Sequence, residues 1–238
     1  MIEWFRQAII DPSLVVLEGF HAVKHANRFG ADLVGVIHNR ERILDQLTLV
    51  APDMERIIEQ ADPVDAATFA GLFRHPHPTG FAAVARRPPA VEPAAIPTTS
   101  PIVLLDGPRH LGNLGATIRI SAAGGASGLV TLGEVDPWHP ASVRGSAGLH
   151  FALPIIHTTE LPALDRPIIA FDPDGENASG YVPPDNAILA FGSERTGLSD
   201  STKAAAHRLI AFPMRDGVSS INLAASVGIG LYMWRLNQ

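Results

Sequence analysis

Residues 209–236 read LIAFPMRDGVSSINLAASVGIGLYMWRL. A short apolar run, Leu209–Phe212, breaks at Pro213 and turns through Arg215-Asp216-Gly217. A helix is expected from near Val218 onward. Ser219, Ser220 and Asn222 stand at the loop-to-helix junction, where the first backbone N–H groups of a helix have no intrahelical partner. Beyond them the helix is apolar on nearly every side, and Ala224, Ala225, Ser226, Gly228 and Gly230 keep it thin. A thin apolar helix must pack closely against something. Its polar collar is then a cap, or the floor of a site, or both.

Working outward, 238 residues at 46% hydrophobic suffice for one large or two small domains. Charged residues make up 18% and the formal net charge is −6, which is not the basic footprint usual in nucleic-acid binding. Only Lys24 and Lys203 are lysines; the other cations are arginines, which suit bidentate phosphate recognition. The absence of cysteine excludes disulfides, thiolate zinc sites and cysteine nucleophiles. The opening MIEWFRQAIID lacks the basic-then-apolar pattern of a signal peptide. The final apolar run falls short of the roughly 18 residues needed to span a bilayer. A soluble, cytoplasmic protein is expected.

Residues 1–88 read as a small α/β unit. The pattern predicts a helix over Leu14–Phe29 closed by Gly30, a strand over Ala31–Ile37, and helices over Glu41–Leu49, Asp53–Gln60 and Asp65–Phe73. A strand over Thr79–Ala85 completes it. Residues 86–101, RRPPAVEPAAIPTTSP, hold five prolines and no period. They read as an extended linker, with the boundary set over 89–101. From 102 to 238 strands and helices alternate. Strands are expected at Ile102–Leu105, Gly128–Leu132, Leu153–His157, Pro167–Phe171, Ile188–Phe191 and Leu209–Phe212, with helices over Asn113–Ala123 and Ser142–Leu149. Such alternation implies a mostly parallel sheet covered on both faces, with ligands beyond the carboxyl ends of its strands.

Three strand-to-loop junctions carry the candidate chemistry. The first runs from Leu105 to Arg119 and contains Asn113-x-Gly115-x-x-x-Arg119. With Glu134 about twenty residues on, it invites a dinucleotide-binding reading, but G-x-G-x-x-G needs three glycines at fixed spacing and only Gly112 and Gly115 are present. Asn113 and Arg119 are six apart and share no helical face unless Asn113 lies in the cap. A capping Asn with a solvated Arg is the plainer reading. The second junction, FGSERTGLS (191–199), delivers Gly192, Ser193 and Glu194 into a turn closed by Gly197. Glu194 either caps nearby N–H groups, pairs with Arg195, or serves a site. The third is the stretch quoted first.

Taken in order, the three junctions resemble the motifs of the SpoU/TrmH family of S-adenosylmethionine-dependent RNA ribose 2′-O-methyltransferases. N-x-G-x-x-x-R is matched by Asn113, Gly115 and Arg119. G-[NSA]-E-x-x-G-[LM] is matched by Gly192, Ser193, Glu194, Gly197 and Leu198. I-P-M-x-x-x-V-x-S-L-N is matched at Pro213, Met214, Val218, Ser220 and Asn222, with Phe212 and Ile221 departing from the usual Ile and Leu. RGSAGLHFALP (144–154) is similar to the segment between motifs. LEGFHAVKHA (17–26) and HPTGFAAVARRP (77–88) resemble the ribosomal-protein-like substrate-binding domain that precedes many members.

The resemblance implies a trefoil knot made by the C-terminal segment, a homodimer, S-adenosylmethionine as cofactor and RNA as substrate, ribosomal RNA before transfer RNA. It implies cofactor contacts at Phe191, Gly192, Phe212, Met214 and Ile221, and catalytic roles for Asn113, Arg119, Glu194, Ser220 and Asn222. A guanidinium stays charged, so Arg119 is expected to clamp phosphate and favour the alkoxide rather than act as a base. Lys24 and Arg28, on a stripe with His21 and His25, read as an RNA contact or a solvated face; Arg144 reads as a phosphate ligand or a helix cap. The reaction needs no metal, and His75 and His77 lack a third ligand. An antibiotic-resistance methyltransferase and a non-catalytic RNA-binding assembly protein are the alternatives.

Overall fold

The computed structural model describes residues 1–39 and 49–238. The helix expected over Glu41–Leu49 falls almost wholly outside them. The chain divides into two compact units, one of Met1–Pro89 with the short segment Ala147–Ala152, the other of Ala90–Ser146 with Leu153–Gln238.

In the first unit α1 (Ile2–Gln7) is followed by β1 (Leu14–Glu18), α2 (Phe20–Arg28), β2 (Leu33–His38), a 3-10 turn (Pro52–Met54), α3 (Glu55–Glu59), β3 (Asp62–Pro63), α4 (Ala66–Leu72) and β4 (Phe81–Arg86). The sheet order is β1-β4-β2-β3, with β4 antiparallel to both β1 and β2. The single helix expected over Leu14–Phe29 is therefore a strand followed by a helix. Its first five residues, LVVLE, are extended, and Gly19 breaks the chain direction at φ +89°, a conformation open to glycine. A side chain there would also meet the His77 ring at 2.7 Å. Asp65 caps α4 through a bond accepted from the Thr68 N–H (2.8 Å), as its position before the apolar run suggests.

The second unit contains β5 (Ile102–Asp106), α5 (Leu111–Gly124), β6 (Gly128–Leu132), α6 (Pro140–Ser146), β7 (Ile155–Thr158), β8 (Ile168–Asn177), β9 (Ile188–Gly192), α7 (Asp200–Ala205), β10 (Arg208–Ala211) and α8 (Leu223–Arg235). Its six strands are all parallel, in the order β10-β8-β9-β5-β6-β7. β5, β6 and β9 are apolar and buried almost throughout, as strands covered on both faces must be. Residues of alternate parity face opposite ways. Ile102, Leu104, Val130, Ala170, Ile188 and Ala190 build one core layer, while Phe171 and Phe191 face the other way, towards α8.

The thin final helix finds its packing there. A Cβ on Gly230 would lie 2.8 Å from the Phe191 ring and 3.0 Å from that of Phe171. Leu231 similarly occupies the space a side chain on Gly124 of α5 would need. The helix begins at Leu223, five residues later than expected, because Asn222 is its cap.

The chain enters this sheet in the middle at β5, lays β6 and β7 on one side, then crosses to the other for β8, β9 and β10. The order reverses between β5 and β9, where Asp106 and Gly192 end paired in register. Beyond that pair of carboxyl ends lies the crevice that open parallel sheets use for ligands.

Candidate active site

The loops leaving β5 and β9 are tied together twice. Asp106 is buried, and one carboxylate oxygen accepts both the N–H and the hydroxyl of Ser199, each at 2.7 Å. Further out, the Asn113 amide donates to Glu194 Oε1 at 2.6 Å. The Asn113 carbonyl oxygen in turn accepts the amide of Asn222 at 3.0 Å, and Asn222 Oδ1 accepts the N–H groups of Ala224 and Ala225 that open α8. One continuous relay, Glu194–Asn113–Asn222–helix, thus joins all three junctions. Because both ends of each amide are engaged, neither can flip without breaking a bond.

Glu194 accordingly neither caps a helix nor pairs with Arg195. Asn113 is not a cap; it lies in the first turn of α5, whose N-cap is His110. Of the polar collar only Asn222 ties off α8, while Ser219 and Ser220 line the cleft.

The β9 loop is held tight by reciprocal Ser193–Gly197 backbone bonds of 3.0 and 3.1 Å and by Ser193 Oγ against Thr196 Oγ1 at 2.7 Å. A side chain on Gly192 would collide with the Gly197 backbone at 2.1 Å. Glycine is required at 192 so that the turn can close. Gly115 has a different reason: a Cβ there would sit 2.3 Å from the Ser142 carbonyl oxygen of α6, opposite Gly145. It serves helix–helix contact and not a phosphate loop, which removes the physical basis of the dinucleotide reading.

Between these loops and residues 212–222 lies a cleft of about 630 Å³, within the usual range for small-molecule sites. Phe191, Gly192, Phe212, Met214 and Ile221 line it, together with Glu194, Ser220 and Asn222. Phe171 stacks on Phe191 (centroids 4.7 Å apart, planes 2° apart) and on Phe212 (4.7 Å, 21°), so the apolar wall is a three-ring stack.

Arg119 is exposed and outside that lining; six residues beyond Asn113 it sits roughly 9 Å further along α5 and on another face. Among the described residues it has no hydrogen-bond or ion-pair partner. Arg144 is exposed in the last turn of α6. In the first unit Arg28 holds Asp53 with two bonds, which pulls the Asp53 carboxyl below its ordinary range; Lys24 is half-buried nearby. His77 bonds Thr79 Oγ1 at 2.9 Å and so organises its own loop.

Sequence reasoning missed Phe171 and Asp172. β8 is longer than expected because its pairing with β10 slips. Leu209 opposes Ala170 but Ile210 opposes Glu176, so residues 171–175 bulge out at the cleft. Asp172, buried on that bulge, accepts the Asp174 N–H (3.1 Å) and pairs with Lys203 of α7 at 2.8 Å, which raises the Lys203 pKa. A strand ending in Phe-Asp-Pro was the available signal; the slipped register was not.

The SpoU rRNA Methylase family model matches residues 100–232. The chain belongs to this family. One relative, a 23S rRNA (adenosine(1067)-2′-O)-methyltransferase of Streptomyces laurentii, is 34% identical over 163 residues, covering 63% of this chain and 59% of the relative. The enzyme of the same name from Streptomyces azureus is 32% identical over 178 residues, covering 70% and 61%. The chain thus spans about three fifths of the length of these relatives. In fold it is similar to the SpoU methyltransferase AviRb of Streptomyces viridochromogenes, solved with AdoMet, at a TM-score of 0.80 and 20% identity over 99% of this chain and 97% of that one.

Proposed function

We propose that this SpoU-family protein transfers a methyl group from S-adenosylmethionine to a ribose 2′-OH of structured RNA, ribosomal RNA in particular. The relay Glu194–Asn113–Asn222 at the mouth of the aromatic cleft carries the reading, because it brings the three motif junctions to one place at the sheet's switch point. The names of the relatives supply the substrate class.

The residues present fit the cofactor. The Phe171–Phe191–Phe212 stack offers an apolar wall for a flat base, and the backbone at Gly192, Phe212 and Ile221 offers N–H and C=O groups beside it. When bound, S-adenosylmethionine supplies an electrophilic methyl group. Asn113 and Asn222, each fixed at both ends, are placed to orient the ribose by hydrogen bonds, with Ser220 beside them. Glu194 keeps Asn113 in one rotamer. Arg119, always charged but outside the lining of this cleft, is assigned to an RNA phosphate.

The first unit is proposed as the RNA-selecting domain, with Lys24 its freer cation since Arg28 already holds Asp53, and Arg144 as a further RNA contact. Ile229, Tyr232 and Leu236 leave an exposed apolar stripe on α8, which supports a homodimer through this helix. The path from β10 at one sheet edge to α8, packed on Phe191 of β9 and against α5, is compatible with a trefoil knot. A ribosomal RNA substrate is compatible with the cytoplasmic location expected from the sequence.

Incubation with methyl-labelled S-adenosylmethionine and unmodified ribosomal RNA is expected to label ribose 2′-oxygens, seen as alkali-resistant dinucleotides. Label confined to bases, or RNA binding without any transfer, refutes the proposal; the second result would favour a non-catalytic assembly role.

A further inference from the structure

Exposed arginines in the second unit fall into two groups. Some are occupied: Arg208 pairs with Glu176 and lies over the Tyr181 ring, and Arg235 lies over Trp234. The buried Arg166 donates to the carbonyls of Ile96 and Pro97. By contrast Arg109, Arg195 and Arg215, like Arg119 of α5, are exposed and, among the described residues, have no ion pair, hydrogen bond or ring partner. All three lie in loops leaving the carboxyl ends of β5, β9 and β10.

We infer that Arg109, Arg195 and Arg215 form a phosphate-binding rim that carries the RNA backbone across the carboxyl edge of the parallel sheet, around the methyl-transfer cleft. The inference rests on the RNA-methyltransferase reading and adds to it residues that the three motifs do not include.

The placement is fixed by the structure and not by loop length alone. Arg109 lies between Asp106 and Asn113, and Arg195 between Glu194 and Ser199. Those four flanking residues are the ones that bond the two loops together, Asp106 to Ser199 and Asn113 to Glu194. The two guanidinium-bearing segments are therefore held side by side, fastened at both ends. Arg195 itself lines the cleft, and Arg215 follows Met214, which also lines it.

The acids nearby do not compete. Asp106 is committed to Ser199 and Glu194 to Asn113, while Asp216 makes no ion pair with Arg215 or any other described residue. Guanidinium groups without an ion-pair partner are available to the phosphates of a polyanion. Guanidinium groups suit it further, since each can grip a phosphate with two bonds. With a net charge of −6 on the chain, RNA affinity has to come from such a local array.

The test is filter binding of an unmodified 23S ribosomal RNA transcript between 50 and 200 mM KCl, for the wild type and the Arg109→Gln/Arg195→Gln/Arg215→Gln variant. Each lost phosphate contact removes about 0.7–0.9 from the slope of log K against log salt, from single strand to duplex, so the triple variant is expected to lose about 2–3. The matching Arg→Lys triple is expected to recover most of the slope, because the slope counts charges, and thermal unfolding of both variants is expected to match the wild type. A wild type that methylates the transcript, with a Gln triple variant of unchanged slope and affinity, overturns the rim. A wild type with the slope, lost in the Gln triple, but no methyl transfer keeps the rim and overturns the catalytic reading. A wild type that does not bind the transcript overturns both.

Discussion

Gly112 and Gly115 stand three apart in one helix, and the structure assigns opposite consequences to adding a methyl group at each. At Gly112 the nearest atom to a new Cβ is a nitrogen of the His110 ring at 4.0 Å, so alanine meets open space. Gly112→Ala is expected to be neutral or to stabilise by up to about 1 kcal/mol, the helix-propensity difference. At Gly115 the Cβ would lie 2.3 Å from the Ser142 carbonyl oxygen and 2.8 Å from Gly145 Cα, where ordinary contact begins at 3.4 Å. The obstacle is backbone, so no rotamer change relieves it. α5 and α6 must separate by roughly 1 Å. Overpacking of this kind costs about 1–3 kcal/mol, and a purely backbone clash belongs near the upper end. Subtracting the propensity gain leaves a net loss of about 2 kcal/mol, equivalent to about 4–8 °C in Tm for a protein of this size. The same shift moves Asn113, two residues earlier, away from Glu194 and Asn222, so methyl transfer is expected to fall further than stability does. Differential scanning calorimetry of both variants, with transfer measured well below either Tm, gives the comparison. A Gly115→Ala protein that melts at or above the wild type, or equal losses at the two sites, would refute the reasoning.

Removing the cap with Asn222→Ala is expected to cost about 1 kcal/mol and also to release Asn113; Asn222→Ser should restore the cap but not the link, so urea midpoints recover while transfer does not. Arg119→Ala is expected to abolish turnover with S-adenosylmethionine affinity retained by calorimetry, and activity within a fewfold of wild type would remove Arg119 from the mechanism. Lys203 has its pKa raised above the ordinary 10.5 by Asp172. Its pairing therefore contributes stability below pH 10.5 that is lost as pH rises through the higher folded value. Unfolding of the wild type should weaken across that alkaline window, and Lys203→Met should flatten the dependence; parallel curves would show the pair to be inert.

What was legible in the sequence was local or carried by motif. Continuous apolar runs at Ile102–Leu105 and Ile188–Phe191 announced strands buried on both faces, and the small residues of the last helix announced close packing. The two purposes of that packing, Gly230 against Phe171 and Phe191, and Leu231 over Gly124, depend on where other elements fall. The helix expected over Leu14–Phe29 shows the limit from the other side: apolar residues fit both periods there, and Gly19, which decides between them, needed its φ to be seen.

The sequence by itself determined the family and named eight of the residues that line the cleft, because the three motif junctions are short and each lies at the end of a strand. It could not place Asn113 between Glu194 and Asn222, 81 and 109 residues away. Nor could it separate Gly115, which is fixed by α6, from a phosphate-loop glycine, or set Arg119 apart from the cleft. Those are decided by a strand order in which β5 neighbours β9 and by a slipped register between β8 and β10. Side-chain periodicity repeats every 2.0 or 3.6 residues and fixes which face of an element is buried. It carries no information about which distant loop will lie against that face.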